Sequence, residues 1–456
     1  MAIKFYNSLT NQKEDFVPIR KGEVGVYVCG MTVYDNCHLG HARAMMAFDI
    51  LARYLRFQNY KVNFIRNITD IDDKIIERAN ENKETIDALT DRTIASMQED
   101  FATLGLELPT NEPRATDHID GMIQMISTLI DKGHAYHSAG GDVFFAVRTF
   151  PEYGKLSNKN IDDLNPGSRI AEDGSKKDPL DFVLWKSAKP NEPSWDSPWG
   201  SGRPGWHIEC SVMSLENLGR HFDIHGGGPD LLFPHHENEI AQSECASDHK
   251  FANYWMHSGL LKINGEKMSK SLGNFAMLKD LFASYHPEVI RYYLISSHYR
   301  SSLNFDSDSL DQARSALTRL YQAASLAPLQ ESDLHDDSVK EFIDSMNDDL
   351  NTPEALSILF GLAKSINSSQ DAQDQSMYAS TMKELGKVLG LLNESPEAFL
   401  QYGANLTDEE INQKIKERNQ ARDTKDFLKA DQIRDELAAQ GILLDDSSDG
   451  TSWKKS

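Results

Sequence analysis

Val24-Gly25-Val26-Tyr27-Val28-Cys29-Gly30-Met31-Thr32-Val33-Tyr34-Asp35-Asn36-Cys37-His38-Leu39-Gly40-His41 is the stretch on which the fold turns. Val24 to Gly30 is a short, mostly apolar run closed by a turn glycine, the pattern of a buried strand. Past His41, the apolar residues Ala44, Met45, Phe48, Leu51 and Leu55 recur at helical spacing, and a helix is expected to about Tyr60. Lys61 to Ile68 reads as a second strand. Strand, helix and strand in so short a span predict a parallel-sheet unit. The stretch from Asp72 to about Gly105 reads as long, polar and helical.

Outward from that unit the character of the chain changes near residue 115. Residues 118–132 form an amphipathic helical pattern with Ile119, Met122, Ile126, Leu129 and Ile130 on one face. Gly140-Gly141 separates two short β-like runs, a hairpin signal. Trp185, Trp195, Trp199 and Trp206, four of the six tryptophans, fall in a Pro- and Gly-rich stretch. The expected organisation is an α/β, Rossmann-like parallel-sheet catalytic domain split by an insertion. It comprises a first half at 1–114, an insertion at 115–200 and a second half at 201–256. A loop and stem-contact region follows at 257–318, then an α-helical bundle at 319–404. Thr352-Pro353 is a good helix start within the bundle. A small C-terminal module occupies 405–456, with a charged helix around 408–440 and a loop-rich tail.

At 456 residues, the chain is long enough for about three domains. It contains no run of 18 apolar residues, so no membrane partner is expected. The first residues lack a signal-peptide layout, so a cytoplasmic location is expected. The net charge of -23 argues against wrapping the whole surface in a polyanion, but leaves room for local basic patches. The four cysteines, Cys29, Cys37, Cys210 and Cys245, are too few for a disulfide scaffold. None forms a Cys-x-x-Cys pair, so any metal site must gather ligands from distant segments.

Two motifs carry chemistry. His38-Leu39-Gly40-His41 lies between strand and helix, where Gly40 permits close backbone approach and the helix N-terminus suits a phosphate. The plain alternative is two polar loop histidines. Lys267-Met268-Ser269-Lys270-Ser271, between Asn264-Gly265 and Leu272-Gly273-Asn274, places two lysines and two hydroxyls on a glycine-flanked loop able to grip a polyphosphate. Its plain alternative is a solvated charged loop.

Together these motifs resemble the class I aminoacyl-tRNA synthetases. The wider strings are similar to the cysteinyl branch of that family. They are Cys29 to Asp35, Asn67-Ile68-Thr69-Asp70-Ile71-Asp72-Asp73-Lys74, Gly205-Trp206-His207-Ile208-Glu209-Cys210-Ser211, His225-Gly226-Gly227-Gly228 with Asp230, and Phe233-Pro234-His235-His236-Glu237-Asn238-Glu239. Leucine in place of the commoner isoleucine between His38 and Gly40 is the one small departure.

The resemblance implies a ligase that activates L-cysteine with ATP and Mg²⁺ and passes it to tRNA-Cys. It also implies one zinc ion per chain, held by Cys29, Cys210, His235 and Glu239. Two thiolates, an imidazole and a carboxylate are good zinc donors, and His235 and Glu239, four apart, share a helix face. Zinc answers a chemical need, because cysteine and serine differ by one atom and shape alone separates such near-isosteres weakly. Cys37 and Cys245 read as buried small hydrophobes. His236 is either an orienting neighbour of a ligand or a packing residue.

His38, His41, Lys267 and Lys270 are the expected catalytic groups. ATP is assigned to those four with Gly40, Ser269 and the backbone of Gly226, Gly227 and Gly228. Thr69 and Asp230 are candidates for the ribose or the amino group of cysteine, and Trp206 for a pocket wall or a core role. In the tail, Lys414, Lys416, Arg418, Arg422, Lys425, Lys429 and Arg434 recur along one helical stretch with acids between them. Trp453, beside Lys454 and Lys455, is expected to stack on the tRNA anticodon. A monomer is expected. A paralogue acting on an amino sugar would not need residues 320–456, and a catalytically inactive relative would not need intact histidines and lysines.

Overall fold

The computed structural model describes residues 2–163, 176–190, 192–267, 274–327, 333–403, 406–447 and 450–455. The side chains of Lys267 and Ser447 are outside that description, as are Ser269 and Lys270 entirely. The chain divides into two compact units. The first holds Met1–Leu278, Leu294–Phe305 and Ile343–Pro353, and the second holds Lys279–Tyr293, Asp306–Phe342 and Glu354–Ser456.

The first unit is built on a four-stranded parallel sheet in the spatial order Ala252–His257, Phe222–Gly227, Glu23–Val28, Lys61–Arg66. The expected strand–helix–strand start is present, with the helix running Leu39–Phe57. The chain builds outward from Glu23–Val28 on one side, then returns to its other side with Phe222–Gly227. That reversal creates a switch point, and open sheets of this kind leave a crevice at the carboxyl ends of the strands there. Cys29 follows one of these two strands directly, and Gly228 follows the other.

Between the halves lies a four-stranded antiparallel sheet, Ala135–His137, Val143–Phe145, Phe182–Ser187 and Gly202–Pro204. The hairpin at Gly140-Gly141 is formed, and the last strand runs past residue 200. Helix Ile119–Asp131 turns Ile119, Met122, Ile126 and Leu129 inward, into a core continuous with Trp185, Ile208 and Trp255. The stretch from Asp72 to Gly105 is helical as expected, in two helices, Asp73–Asn82 and Ile86–Thr103. Lys83 takes a left-handed conformation (φ 58°) and ends the first, and the Thr85 hydroxyl caps the second.

Two later segments are pinned to the same unit by buried charge. The guanidinium of Arg43 donates to the carbonyls of Leu294, Ser297 (3.3 Å), His298 (2.6 Å) and Ser301 (3.2 Å). Asp349, fully buried, accepts from the Tyr6 amide, the Tyr299 hydroxyl and Arg300 Nε, each at 2.8 Å. These bonds hold Asp349 and Leu350 at φ 63° and 55°, which costs on the order of 1–3 kcal/mol for a leucine.

The second unit contains helices Ser309–Ala324, Thr352–Ser368 and Ala372–Val388. Its C-terminal module is two helices, Asp408–Asp423 and Phe427–Ala439, followed by the hairpin Ile442–Ser447 and Gly450–Lys455. The single charged helix expected over 408–440 is broken at Lys425 (φ 61°), and the tail is sheet rather than loop.

Candidate metal centre and nucleotide-facing helix end

Three distant segments deliver four donors of three kinds to the switch-point crevice. Cys29 directly follows strand Glu23–Val28, Cys210 lies in helix Trp206–Leu218, His235 in the turn Leu232–His236, and Glu239 in helix Glu237–Ser247. The Cys29 Sγ is 3.5 Å from Cys210 Sγ and 3.3 Å from Glu239 Oε1, and His235 Nε2 is 3.0 Å from that same oxygen. All four residues are buried, at 3%, 2%, 1% and 0% exposure. Their ligand atoms all lie within 4.8 Å of one another.

This set fits a tetrahedral zinc ion. Zinc–sulfur bonds of about 2.3 Å imply a sulfur–sulfur edge of about 3.8 Å, and zinc–nitrogen and zinc–oxygen bonds imply an edge of about 3.3 Å. The two corresponding distances fall within a few tenths of an ångström of those edges. Packing offers no reason to bury two thiols, an imidazole and a carboxylate together, since each polar group costs free energy unless paired.

The protonation pattern also favours a cation. Burial pushes the Cys29 thiol well up, reinforced by its bond to Cys210. Burial opposes ionisation of Cys210 too, but the bond from Cys29 and the neighbouring His235 bring it down to about 6. Burial disfavours charge on His235, yet Glu239 and Cys210 raise it to about 10. Glu239 is held well below the carboxylate range, against burial, by His225 and His235. A thiolate, a carboxylate and one imidazolium leave a net negative pocket, and a metal would displace the His235 proton.

Four neighbours of this site had no role assigned from the sequence. His225 Nε2 bonds Glu239 Oε2 at 2.8 Å, and His207 Nδ1 lies 2.9 Å from His235 Nδ1. Such outer partners fix the orientation of ligands. Glu209, fully buried, accepts from the Thr69 hydroxyl at 2.9 Å. His257 Nε2 lies 2.8 Å from Nδ1 of His236, whose Nε2 lies 4.0 Å from Glu239 Oε1, so His236 faces the centre. Only the parallel pairing that sets His225 against Tyr27 reveals the first of these, and that pairing leaves no local mark in the sequence.

Trp206, 37% exposed, stacks on His235 with ring centroids 4.2 Å apart, and so borders the centre. Thr69 is buried beside it. Asp230 is exposed and near enough for its charge to act on His38. Cys37 and Cys245 are buried and outside the cluster, and none of the four cysteines forms a disulfide. Two glycines need a different reading. A side chain on Gly226 would strike Phe48 at 2.1 Å, and one on Gly227 would meet His236 and Leu231 at 2.9 Å. Their bareness makes room for the protein's own side chains.

At the other side of the crevice, His38 and His41 cap helix Leu39–Phe57 reciprocally. Nδ1 of His38 accepts from the His41 amide (3.2 Å), and Nδ1 of His41 accepts from the His38 amide (3.4 Å). The rings stack with centroids 3.5 Å apart. Burial lowers His38 to about 4 and His41 well below its ordinary value. Both are therefore neutral near pH 7, and with Nδ1 accepting, the proton of each sits on Nε2. The helix end thus presents two imidazole N–H donors. Gly40 lies in the first turn of that helix. Lys267 ends the short strand Glu266–Lys267.

Trp453 does not offer the open stacking face expected of it. It is 7% exposed and packs with Ile411, Ile415, Ile433, Leu437 and Ile442 as the module's core. In the hairpin it pairs with Leu444, and strand alternation turns it inward. Of the basic series, Arg418 and Arg422 both bond Asp446, and Lys414 bonds Glu436. The exposed large apolar side chains of the module include Phe427 (61%) and Leu428 (87%), between Lys425 and Lys429.

Residues 15–315 match the family described as the tRNA synthetases class I (C) catalytic domain. The chain is 56% identical to the Cysteine–tRNA ligase of Methylococcus capsulatus, over 99% of this chain and 100% of that one. It belongs to the cysteinyl-tRNA synthetase family. The Cysteine–tRNA ligase of Halorhodospira halophila is likewise 56% identical, over 99% of each chain. Residues 341–393 match a DALR domain, and residues 405–453 match the Cysteinyl-tRNA ligase anticodon binding domain. Among solved structures, Mycobacterium tuberculosis methionyl-tRNA synthetase in complex with methionyl-adenylate is similar in fold, with a TM-score of 0.56 at 15% identity. That match covers 80% of this chain and 89% of the other. A leucyl enzyme from Agrobacterium radiobacter, in complex with tRNA, aligns with a TM-score of 0.58 over 94% and 95% of the chains at 12% identity. This member of the cysteinyl-tRNA synthetase family therefore has the class I architecture. Among the described residues no helix is long and apolar enough to cross a membrane.

Proposed function

We propose that this chain activates L-cysteine with ATP and transfers it to the 3′-terminal ribose of tRNA-Cys. The observation that carries this reading is the convergence of Cys29, Cys210, His235 and Glu239 in the crevice whose other side is the His38–His41 helix end. A zinc ion held by those four would supply a soft Lewis acid that favours a thiolate over a serine hydroxyl.

The cysteine carboxylate attacks the α-phosphate of ATP, and pyrophosphate leaves. No nucleophile from the protein is needed, so catalysis is positioning and charge stabilisation. The Nε2–H groups of His38 and His41 donate to phosphate oxygens, and Gly40 keeps the backbone approachable there. Lys267, Ser269 and Lys270 offset the charge that develops on the triphosphate, with Mg²⁺ accompanying ATP. Glu209 fixes the hydroxyl of Thr69, which with Asp230 meets the amino group or the ribose. Trp206 closes the amino-acid side. A terminal ribose hydroxyl of the tRNA then attacks the adenylate carbonyl and AMP leaves.

The module at 405–456 meets the anticodon. Phe427 and Leu428 supply its exposed apolar contact, and Lys425 and Lys429 its phosphate contacts. The enzyme works as a cytoplasmic monomer in this reading. The test is amino-acid-dependent ATP–pyrophosphate exchange over all twenty amino acids, with and without a zinc chelator. Exchange with cysteine alone, lost on chelation, supports the reading. Exchange with another amino acid, or with none, overturns it.

A further inference from the structure

The metal pocket contains more donors than one tetrahedral ion uses. Beside the set already described, the ligand atoms of Cys29, His225, His236 and Glu239 also lie within 4.8 Å of one another, and all four residues are buried. The two sets share Cys29 and Glu239. They differ in exchanging Cys210 and His235 for His225 and His236.

Two details of the extra histidines point to a cation. Nε2 of His236, in a fully buried residue, has no hydrogen-bond partner among the described residues and lies 4.0 Å from Glu239 Oε1. Its other nitrogen is held 2.8 Å from His257 Nε2, and His257 Nδ1 lies 2.8 Å from the Ser8 hydroxyl. A chain of N–H donors running from His236 to Ser8 would leave the lone pair of His236 Nε2 facing the pocket. His225 reaches the pocket through Nε2, which bonds Glu239 Oε2, and its buried Nδ1 has no hydrogen-bond partner among the described residues. Trp255 stacks on the His225 ring at 4.3 Å and holds its plane. An orphaned buried polar atom is costly, and His236 Nε2 is one that lies beside the shared carboxylate.

We infer that the pocket provides a second, overlapping metal site, Cys29–His225–His236–Glu239, for a divalent cation that prefers imidazole. Because two donors are shared, one ion occupies one site at a time. The 4.0 Å edge is longer than the roughly 3.3 Å of a tetrahedral nitrogen–oxygen edge, so the second site closes by a small shift of the His236 ring and binds more weakly than the first. One thiolate in place of two moves its preference towards nitrogen-seeking ions such as cobalt and nickel. In the first arrangement His225 orients Glu239. In the second it is itself a ligand.

The test titrates the metal-stripped full chain with cobalt(II) alone. The readout is the sulfur-to-cobalt charge-transfer absorption per bound ion, which scales with the number of thiolates. Cys210→Ser should still bind one cobalt, with about half the charge-transfer intensity of the unaltered chain. Adding His236→Ala or His225→Ala in that background should weaken cobalt binding by more than the ~10–100-fold typical of an outer-shell change. Far-ultraviolet circular dichroism and a thermal midpoint monitor folding. Should Cys210→Ser not fold, His235→Ala removes a ligand unique to the first site and asks the same question. The inference is overturned if a folded Cys210→Ser or His235→Ala chain binds no cobalt. It is equally overturned if it binds cobalt with an affinity indifferent to His225 and His236.

Discussion

The metal centre and the C-terminal module both bury polar or aromatic groups contributed by distant residues, and they do so for opposite reasons. In the centre, two thiols, an imidazole and a carboxylate are enclosed with their ligand atoms converging, an arrangement compatible with a metal site. In the module, Trp453 is enclosed because it forms the core with five buried apolar side chains, and Arg418 is enclosed because Asp446 grips both of its terminal nitrogens. A motif of mixed donors survives translation into three dimensions because its chemistry admits few other uses. A motif of one tryptophan beside lysines does not, because a small domain needs that tryptophan for itself.

The sharpest way to break this comparison is at the centre. Cys29→Ala removes a donor common to both metal arrangements. It should abolish bound zinc, read by elemental analysis, and with it cysteine-dependent pyrophosphate exchange. In the unaltered chain, cysteine should be preferred over serine by roughly 10⁴-fold in exchange, the scale of discrimination expected when a site is built around one functional group. A folded, zinc-free Cys29→Ala chain with undiminished exchange would sink the functional role of the centre.

In the module the consequence should be stability instead. Trp453→Ala should cost ~3–5 kcal/mol, enough to unfold the module locally. Cysteine-dependent exchange should persist in that variant while tRNA charging fails. Limited proteolysis reports the first effect directly, and an unchanged cleavage pattern would contradict the core role.

A smaller effect sharpens the point for buried charge. Burial raises Glu288 to about 7, against the bonds from Tyr321 and the Asn393 amide that favour its ionised form. A folded value above the ordinary one near 4.5 means that the stability this group contributes is present below about pH 4.5. It is lost as the pH rises through about 7, by at most ~3 kcal/mol. Glu288→Gln should flatten the dependence of the thermal midpoint on pH over that window. A slope equal to that of the unaltered chain would remove Glu288 as its cause.

The mildest change is Phe427→Ala. Its side chain is 61% exposed, so stability should move within ~0.5 kcal/mol. Affinity for tRNA should fall by ~1–3 kcal/mol, the value of one base stacked on an aromatic ring. Undiminished tRNA affinity would place the contact elsewhere on the module.

Much of the first unit was legible because its signals are periodic. The strand before Cys29, the helix after His38 and the hairpin at Gly140-Gly141 all lie where apolar spacing and glycine put them. The breaks at Lys83 and Lys425 were not legible, since a lysine in a left-handed turn leaves none of the marks of glycine or proline. The four expected donors do converge, but the imidazoles around them depend on strand pairing between residues nearly two hundred positions apart. The inward face of Trp453 depends likewise on register, which a six-residue strand does not declare by itself.

One consequence of the reciprocal cap at His38 and His41 concerns inheritance rather than chemistry. Each ring accepts the other residue's backbone amide, so neither can be exchanged without unseating its neighbour. Effects of His38→Ala and His41→Ala should therefore fail to add, with an interaction energy of ~0.5–3 kcal/mol in a double-mutant cycle on exchange rate. Once the first ring is gone, little is left for loss of the second to destroy. A two-step evolutionary path through either single variant would pass through nearly the full deficit at its first step.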